Sequence, residues 1–271
     1  MAVVTTRIRF LGVAGYEIEW SNHRVLIDPF LTGSRFAPCS PDELATPDVI
    51  LVTHSAWDHI GDTAAIAKRT GAPVVCGSDT HALLREAGIP TEQMRQTVWG
   101  IVVKVGGVVV RPVESHHWAQ ARLKDGTTVS GVPMGFLIET DPDVRIYHCG
   151  DTAVFGDMRL IADLYQPTVG LLGCSQAQDL LRQVPGAGEV LTGEMSPRDA
   201  AFAAELLRLP LAIASHYLDI DDKQGPEYAD VQDFLQTVAE FDSTGTRNAL
   251  AMRVGETLML DEKGFRLEGI E

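Results

Sequence analysis

His54 and His59 bracket a short segment, His54-Ser-Ala-Trp-Asp58-His59, with a carboxylate between them. Neutral imidazole and ionised carboxylate are the ligands that zinc, manganese and iron accept. A run rich in Val and Ile, Val49–Thr53, leads into the segment, and a helix-like stretch, His59–Thr70, leads out of it. Where a buried strand ends and a helix starts, several side chains can be aimed into one cavity. The plain alternative is a His and an Asp capping a helix, since short His/Asp motifs occur by chance.

The rest of the chain adds to the first reading. His116 and His117 follow a strand pattern ending at Val113, Asp151 sits in a Gly-Asp-Thr turn after Val144–His148, and His216 follows Leu211–Ala214. Four separate strands thus end in His or Asp. In layered α/β architectures such ends commonly share one edge, where a site is assembled from distant segments. Of the eight histidines, His54, His59, His116 and His216 hold these positions, whereas His23, His81 and His148 read as surface or core residues.

The elements that must position these groups are short apolar runs at Arg7–Leu11, Arg24–Ile27, Val49–Thr53, Val74–Cys76, Ile101–Val113, Gly135–Glu139, Val144–His148, Val169–Leu172, Leu211–Ala214 and Ala249–Leu260. Helix-like stretches fall at His59–Thr70, Asp79–Ala87, Asp157–Tyr165, Pro197–Leu207 and Tyr228–Phe241, and Ser196-Pro197 reads as an N-cap followed by an N1 proline. No Gly/Ser or Pro linker separates the two strand-rich halves, so residues 1–271 are expected to form one layered α/β domain. Gln183–Thr192 is the candidate mobile loop.

A formal net charge of −15 repels phosphate backbones and anionic headgroups, which disfavours general binding to nucleic acid or membrane surfaces. With 45% hydrophobic residues, the chain has material for a sizeable core. Cys39, Cys76, Cys149 and Cys174 are scattered and form no Cys-x-x-Cys pair, as expected for thiols of a reducing, cytoplasmic compartment.

The order of these residues resembles the metallo-β-lactamase superfamily, whose signature is His-x-His-x-Asp-His, a lone His, an Asp in a Gly-Asp-Thr-like turn and a final His. Val25–Gly33, Thr53–Asp62, Gly150–Met158, Met195–Ala201 and Ser215–Tyr217 look like the branch that holds ascorbate 6-phosphate lactonase and the small bacterial metal-dependent hydrolases. The resemblance implies an αββα sandwich, two facing mixed β-sheets with helices outside and a metal site at one edge. It also implies that His54 and His116 ligate a first ion, that Asp58, His59 and His216 ligate a second, and that Asp151 bridges them. Asp28, in the Ile-Asp-Pro turn, would support the ligand loop.

One position departs from the signature: Ala56 stands where its second histidine belongs, and a methyl group binds no metal. The second position keeps a full ligand set, so one zinc or manganese ion (iron is also suited) is expected rather than two. Members of the superfamily that hydrolyse carbapenems also work with one ion after losing a first-site histidine. His117, Cys149, Cys174 and Glu194 are possible substitutes, each read as structural, and Trp57 and Trp118 read equally as pocket walls or as packing.

The chemistry implied is hydrolysis of a small-molecule ester, lactone or amide, with the ion polarising the carbonyl and lowering the pKa of water. Asp58 would ligate and take a proton, with His54 and His116 as general base or oxyanion donors. Two rivals are a phosphodiesterase or nuclease, and a non-enzymatic metal-binding or ligand-sensing protein. Oligomeric state and substrate are silent in the sequence.

Overall fold

The computed structural model describes residues 5–176, 181 and 186–269. The chain opens with β1 (Thr6–Gly12), β2 (Gly15–Trp20), β3 (His23–Ile27) and β4 (Val49–Leu51). Next come α1 (Trp57–Ile60), α2 (Thr63–Thr70), β5 (Val74–Cys76), α3 (Ser78–Glu86) and β6 (Met94–Gln96). A second run holds β7 (Val103–Val105), β8 (Val108–Glu114), β9 (Gln120–Arg122), β10 (Thr128–Ser130), β11 (Met134–Asp141), β12 (Val144–His148), α4 (Met158–Tyr165) and β13 (Val169–Gly173). The described elements close with α5 (Pro197–Leu206), β14 (Leu211–Ser215), α6 (Pro226–Phe241), β15 (Asn248–Leu250), β16 (Thr257–Asp261) and β17 (Gly264–Glu268).

Two large mixed sheets result, ordered β17-β16-β1-β2-β3-β4-β5-β6 and β15-β14-β13-β12-β11-β8-β7. Each is antiparallel on one side and parallel on the other, the parallel pairs being β3 through β6 and β12 through β15. The period-two alternation of the parallel strands explains the layering. In β3, β4 and β5, Val25, Ile27, Val49, Leu51 and Val75 join the core between the sheets. The intervening Leu26, Ile50, Val74 and Cys76 pack outward with Ile66 and Ala67 of α2 and Leu84 of α3. Strands buried on both faces require helices outside, and α4, α5 and α6 contribute Ile161, Ala200 and Phe234 to the core on the side of the second sheet. This is the expected αββα sandwich.

Local differences from the sequence reading have local causes. Ile101–Val113 is two strands, because Gly106 and Gly107, both at positive φ, turn the chain into a hairpin. Ala249–Leu260 is also two strands, and they lie in different sheets: β15 extends the second and β16 the first. The helix read as His59–Thr70 breaks at Gly61-Asp62, where the Asp62 carboxylate leaves the helical pattern to accept the N–H groups of Leu31 and Thr32, each at 2.8 Å. At the start of α5, Ser196 and Asp199 cap each other reciprocally, as the Ser-Pro pattern predicts. Part of the loop 183–192 lies outside the described residues. Among the described residues the four cysteines are free, and no helix is long and apolar enough to cross a membrane.

Gly61 has φ +38°, and a Cβ there would sit 2.4 Å from the Pro29 carbonyl oxygen. Gly71 is also left-handed (φ +72°) but has open space around it. Gly61→Ala should therefore cost more than the roughly 1–3 kcal/mol of left-handed strain expected at Gly71→Ala, and it alone should lower metal content, by pushing α1 from its place. Urea denaturation with metal analysis of both variants checks this.

Candidate metal centre

Asp28, fully buried with φ +43°, organises the first ligand loop. Its Oδ1 accepts the Thr53 N–H (2.9 Å), and its Oδ2 accepts the Thr53 hydroxyl (2.7 Å) and His59 Nδ1–H (2.8 Å). With Nδ1 engaged, His59 directs Nε2 at Asp151 Oδ2, 3.1 Å away. The Thr53 hydroxyl, having donated to Asp28, accepts from His54 Nδ1 at 3.1 Å, which leaves His54 Nε2 facing the same carboxylate oxygen at 3.7 Å. Asp28 thus supports the ligand loop by fixing the ring orientation of one histidine directly and of a second through a threonine.

His116 does not join them. Its Nε2 lies 2.8 Å from Glu114 Oε1, its ring stacks on Phe155, and its side chain is 49% exposed. His117 takes the inward position: its side chain is 5% exposed, Nδ1 donates to the Gly193 carbonyl at 2.9 Å, and Nε2 lies 3.9 Å from Asp151 Oδ2. The expectation of His116 as ligand and base is corrected by one residue, because β8 runs to Glu114 and the chain then turns. That turn is held by the Ser115 hydroxyl on the Asp151 carbonyl (2.6 Å) and by His116 N–H on the Thr152 hydroxyl (2.9 Å).

On the far side, His216 has φ +65°. Its N–H bonds to the Val13 carbonyl at 2.8 Å, and the Val13 N–H returns to the Tyr217 carbonyl at 2.9 Å, so a backbone bridge ties the two sheets together beside the site. His216 Nδ1 faces the Ser175 carbonyl (3.1 Å) and Glu194 Oε1 (3.3 Å), while Nε2 faces Asp151 Oδ1 (3.5 Å) and Asp58 Oδ2 (3.8 Å). Glu194 is a site residue read from the sequence as structural. Cys149, Cys174 and His148 are buried outside the cluster, with His148 bonded to the Ala14 carbonyl at 2.8 Å.

The structure therefore brings together His54, Asp58, His59, Asp151 and His216, adds His117 and Glu194, and leaves out His116. Within 4.8 Å of one another lie the donor atoms of His54, His59 and Asp151, of Asp58, His59 and His216, and of Asp151, Glu194 and His216. Nε2 of His54, His59 and His216 and Oδ1 of Asp151 are buried and, among the described residues, have no hydrogen-bond partner. Buried polar atoms left unpartnered are costly, and several aimed at one point fit a cation. Imidazole nitrogen and carboxylate oxygen suit a divalent transition ion.

The charges divide the histidines. Burial and the adjacent His59 push the His54 imidazole well below its usual range, and burial lowers His117, so both are neutral at pH 7. At His216 burial opposes the charged form, but Glu194, Asp151 and Asp58 outweigh it and raise the group to about 9. At His59 burial is likewise outweighed, by Asp151 and Asp28, and the ring titrates well above its usual range. Burial works against the Asp151 charge, yet His59 and His216 hold its carboxyl well below the usual carboxylate range.

The family of β-lactamase superfamily domains matches residues 23–217. A protein named metal-dependent hydrolase from Rubrobacter xylanophilus is 37% identical over 214 residues, 78% of this chain and 81% of its own length. Another of that name, from Thermococcus onnurineus, is 37% identical over 256 residues, 94% of this chain and 99% of its own. Among solved structures, a metallo hydrolase from the archaeon Ignicoccus hospitalis matches with a TM-score of 0.70 at 26% identity, covering 94% of this chain and 98% of that one. The chain is a member of the β-lactamase superfamily and has the metallo-β-lactamase fold. Within it, the chain belongs to the family whose members are named metal-dependent hydrolases.

Two carboxylates, Asp28 and Glu194, stand behind the imidazoles of His59 and His216. Removing such a partner typically weakens metal binding by about 10–100-fold. Asp28→Asn and Glu194→Gln should each do so, while His116→Ala should leave affinity unchanged. Chelator-competition titration with zinc measures all three.

Proposed function

We propose that this protein is a metal-dependent hydrolase acting on the ester, lactone or amide carbonyl of a small molecule, with one ion held by Asp58, His59, Asp151 and His216. The observation that carries the reading is the carboxylate at Nδ1 of each imidazole of that set: Asp28 hydrogen-bonded to His59 at 2.8 Å, and Glu194 at 3.3 Å from His216 beside its hydrogen bond to the Ser175 carbonyl. A carboxylate behind a ligand histidine raises its basicity and fixes its orientation. His54 and His117 are backed only by a hydroxyl and a backbone carbonyl, and no imidazole stands at Ala56, so the other position is the weaker one. Zinc, manganese and iron all suit the set.

When bound, a divalent ion supplies Lewis acidity and water of lowered pKa. The chain supplies the rest. Asp58, at the first turn of α1, places a carboxylate oxygen 3.8 Å from His216 Nε2, within reach of a proton leaving an attacking water. His54 and His117 carry their protons on Nδ1, judged from their partners, so each offers Nε2 as a proton acceptor rather than as an oxyanion donor. The four rings are oriented through their Nδ1 atoms, and their Nε2 atoms face the Asp151 carboxylate at 3.1–3.9 Å. The −15 net charge favours a neutral small substrate over nucleic acid.

Zinc- and manganese-loaded protein is to be assayed against phenyl acetate, a δ-lactone, acetanilide and bis-p-nitrophenyl phosphate. We expect hydrolysis of a carbonyl substrate, loss of both ion and turnover in Asp151→Ala, and neither loss in His81→Ala, whose residue lies on α3 away from the site. Turnover of the phosphodiester alone, or full turnover by Asp151→Ala, overturns the reading.

Ala56 is the N-cap residue of α1 and its carbonyl accepts from the His59 and Ile60 N–H groups, so the backbone of the turn forms without a side chain there. Ala56→His should complete the weaker position and raise bound zinc from about one ion to about two per chain, read by metal analysis after gel filtration. Wild-type protein that already retains two ions contradicts this.

A further inference from the structure

Three of the segments that bear site residues also carry a large apolar side chain in the open. Trp57, beside Asp58, is 56% exposed; Trp118, beside His117, is 48% exposed; Leu191, on the segment of Gly193 and Glu194, is 70% exposed. Single exposed apolar residues are ordinary, but these three all lie on segments that bear site residues. Neither indole is loose. Trp57 meets Phe30 edge to face at 5.0 Å, and Trp118 lies flat on the His117 ring at 4.6 Å and 22°. The segments are also joined, because the Ser55 hydroxyl donates to the Gln120 carbonyl at 3.0 Å, two residues from each tryptophan. Between His54 and Trp57, Ala56 offers only a methyl group and is half-buried. The described site segments 53–62, 114–120, 150–157, 191–196 and 215–220 contain no Lys or Arg, and the chain's net charge is −15, which favours a neutral group over an anionic one.

We infer that Trp57 and Trp118 form a subsite at the mouth of the metal centre for a neutral aromatic group of the substrate. The ring lies against the fixed indole faces while the reacting bond reaches Asp58 and His59. Flat apolar groups favour such sites because the indoles give large contact area without losing side-chain freedom on binding. The inference rests on the hydrolase reading for what happens to the ligand, and on the tryptophans alone for what is bound.

The test follows tryptophan fluorescence of zinc-loaded protein titrated with 4-nitrobenzyl alcohol, a neutral quencher, and with 4-nitrobenzyl phosphate. Saturable quenching by the alcohol and weaker binding of the phosphate are expected. Trp57→Ala and Trp118→Ala should each weaken alcohol binding roughly tenfold, Trp57→Phe and Trp118→Phe should restore most of it, and Trp99→Ala, remote from the site segments, should not change it. Quenching that never saturates, wild-type affinity in the two alanine variants, or preference for the phosphate overturns the subsite. Because binding is read without turnover, saturable binding with no hydrolysis of any ester removes the hydrolase reading alone, and hydrolysis without tryptophan-dependent binding removes the subsite alone.

Discussion

One buried carboxylate sets the terms for this molecule. Asp151 lies within 3.1–3.9 Å of the Nε2 atoms of His54, His59, His117 and His216. Burying a charge costs several kcal/mol unless opposite charge and hydrogen bonds offset it, so the four loops that converge here must be held by something stronger than their own contacts. The sandwich provides it. β4, β8, β12 and β14 all release their chains at one edge, and the Val13–Tyr217 bridge joins the sheets beside the site. Gly150 at φ +61° lets the Asp151 turn approach the Thr53 side chain, where a Cβ would already be at 3.0 Å.

The ring of imidazoles is uneven, and the unevenness comes from what stands behind each ring. Carboxylates behind His59 and His216 favour positive charge there, whereas burial with neutral partners leaves His54 and His117 uncharged. The missing histidine at position 56 falls on the neutral side. An ion at His59 and His216 would therefore have to displace the protons that these carboxylates favour, and once they leave, the same carboxylates strengthen both imidazoles as ligands.

Much of the architecture was legible because parallel strands buried on both faces leave continuous apolar runs, as at Val74–Cys76 and Leu211–Ala214. β2 was not, since Glu17 and Glu19 interrupt its apolar pattern to pair with Arg9 and Arg7 across the sheet surface. In the site, His54, Asp58, His59, Asp151 and His216 follow from strand ends. The choice between His116 and His117 depends on where β8 stops, a boundary that the apolar pattern places one residue early. Glu194 lies in a loop with no periodicity to place it, and only its 3.3 Å approach to His216 marks it.

The central claim is that the carboxylate-backed half of the centre holds the ion. A crystal structure of zinc-loaded protein with data collected on both sides of the zinc absorption edge tests it most directly. The account predicts a single anomalous peak bonded at about 2.0–2.2 Å to His59, His216, Asp58 and Asp151. A sole peak between His54 and His117, away from His216, would contradict it.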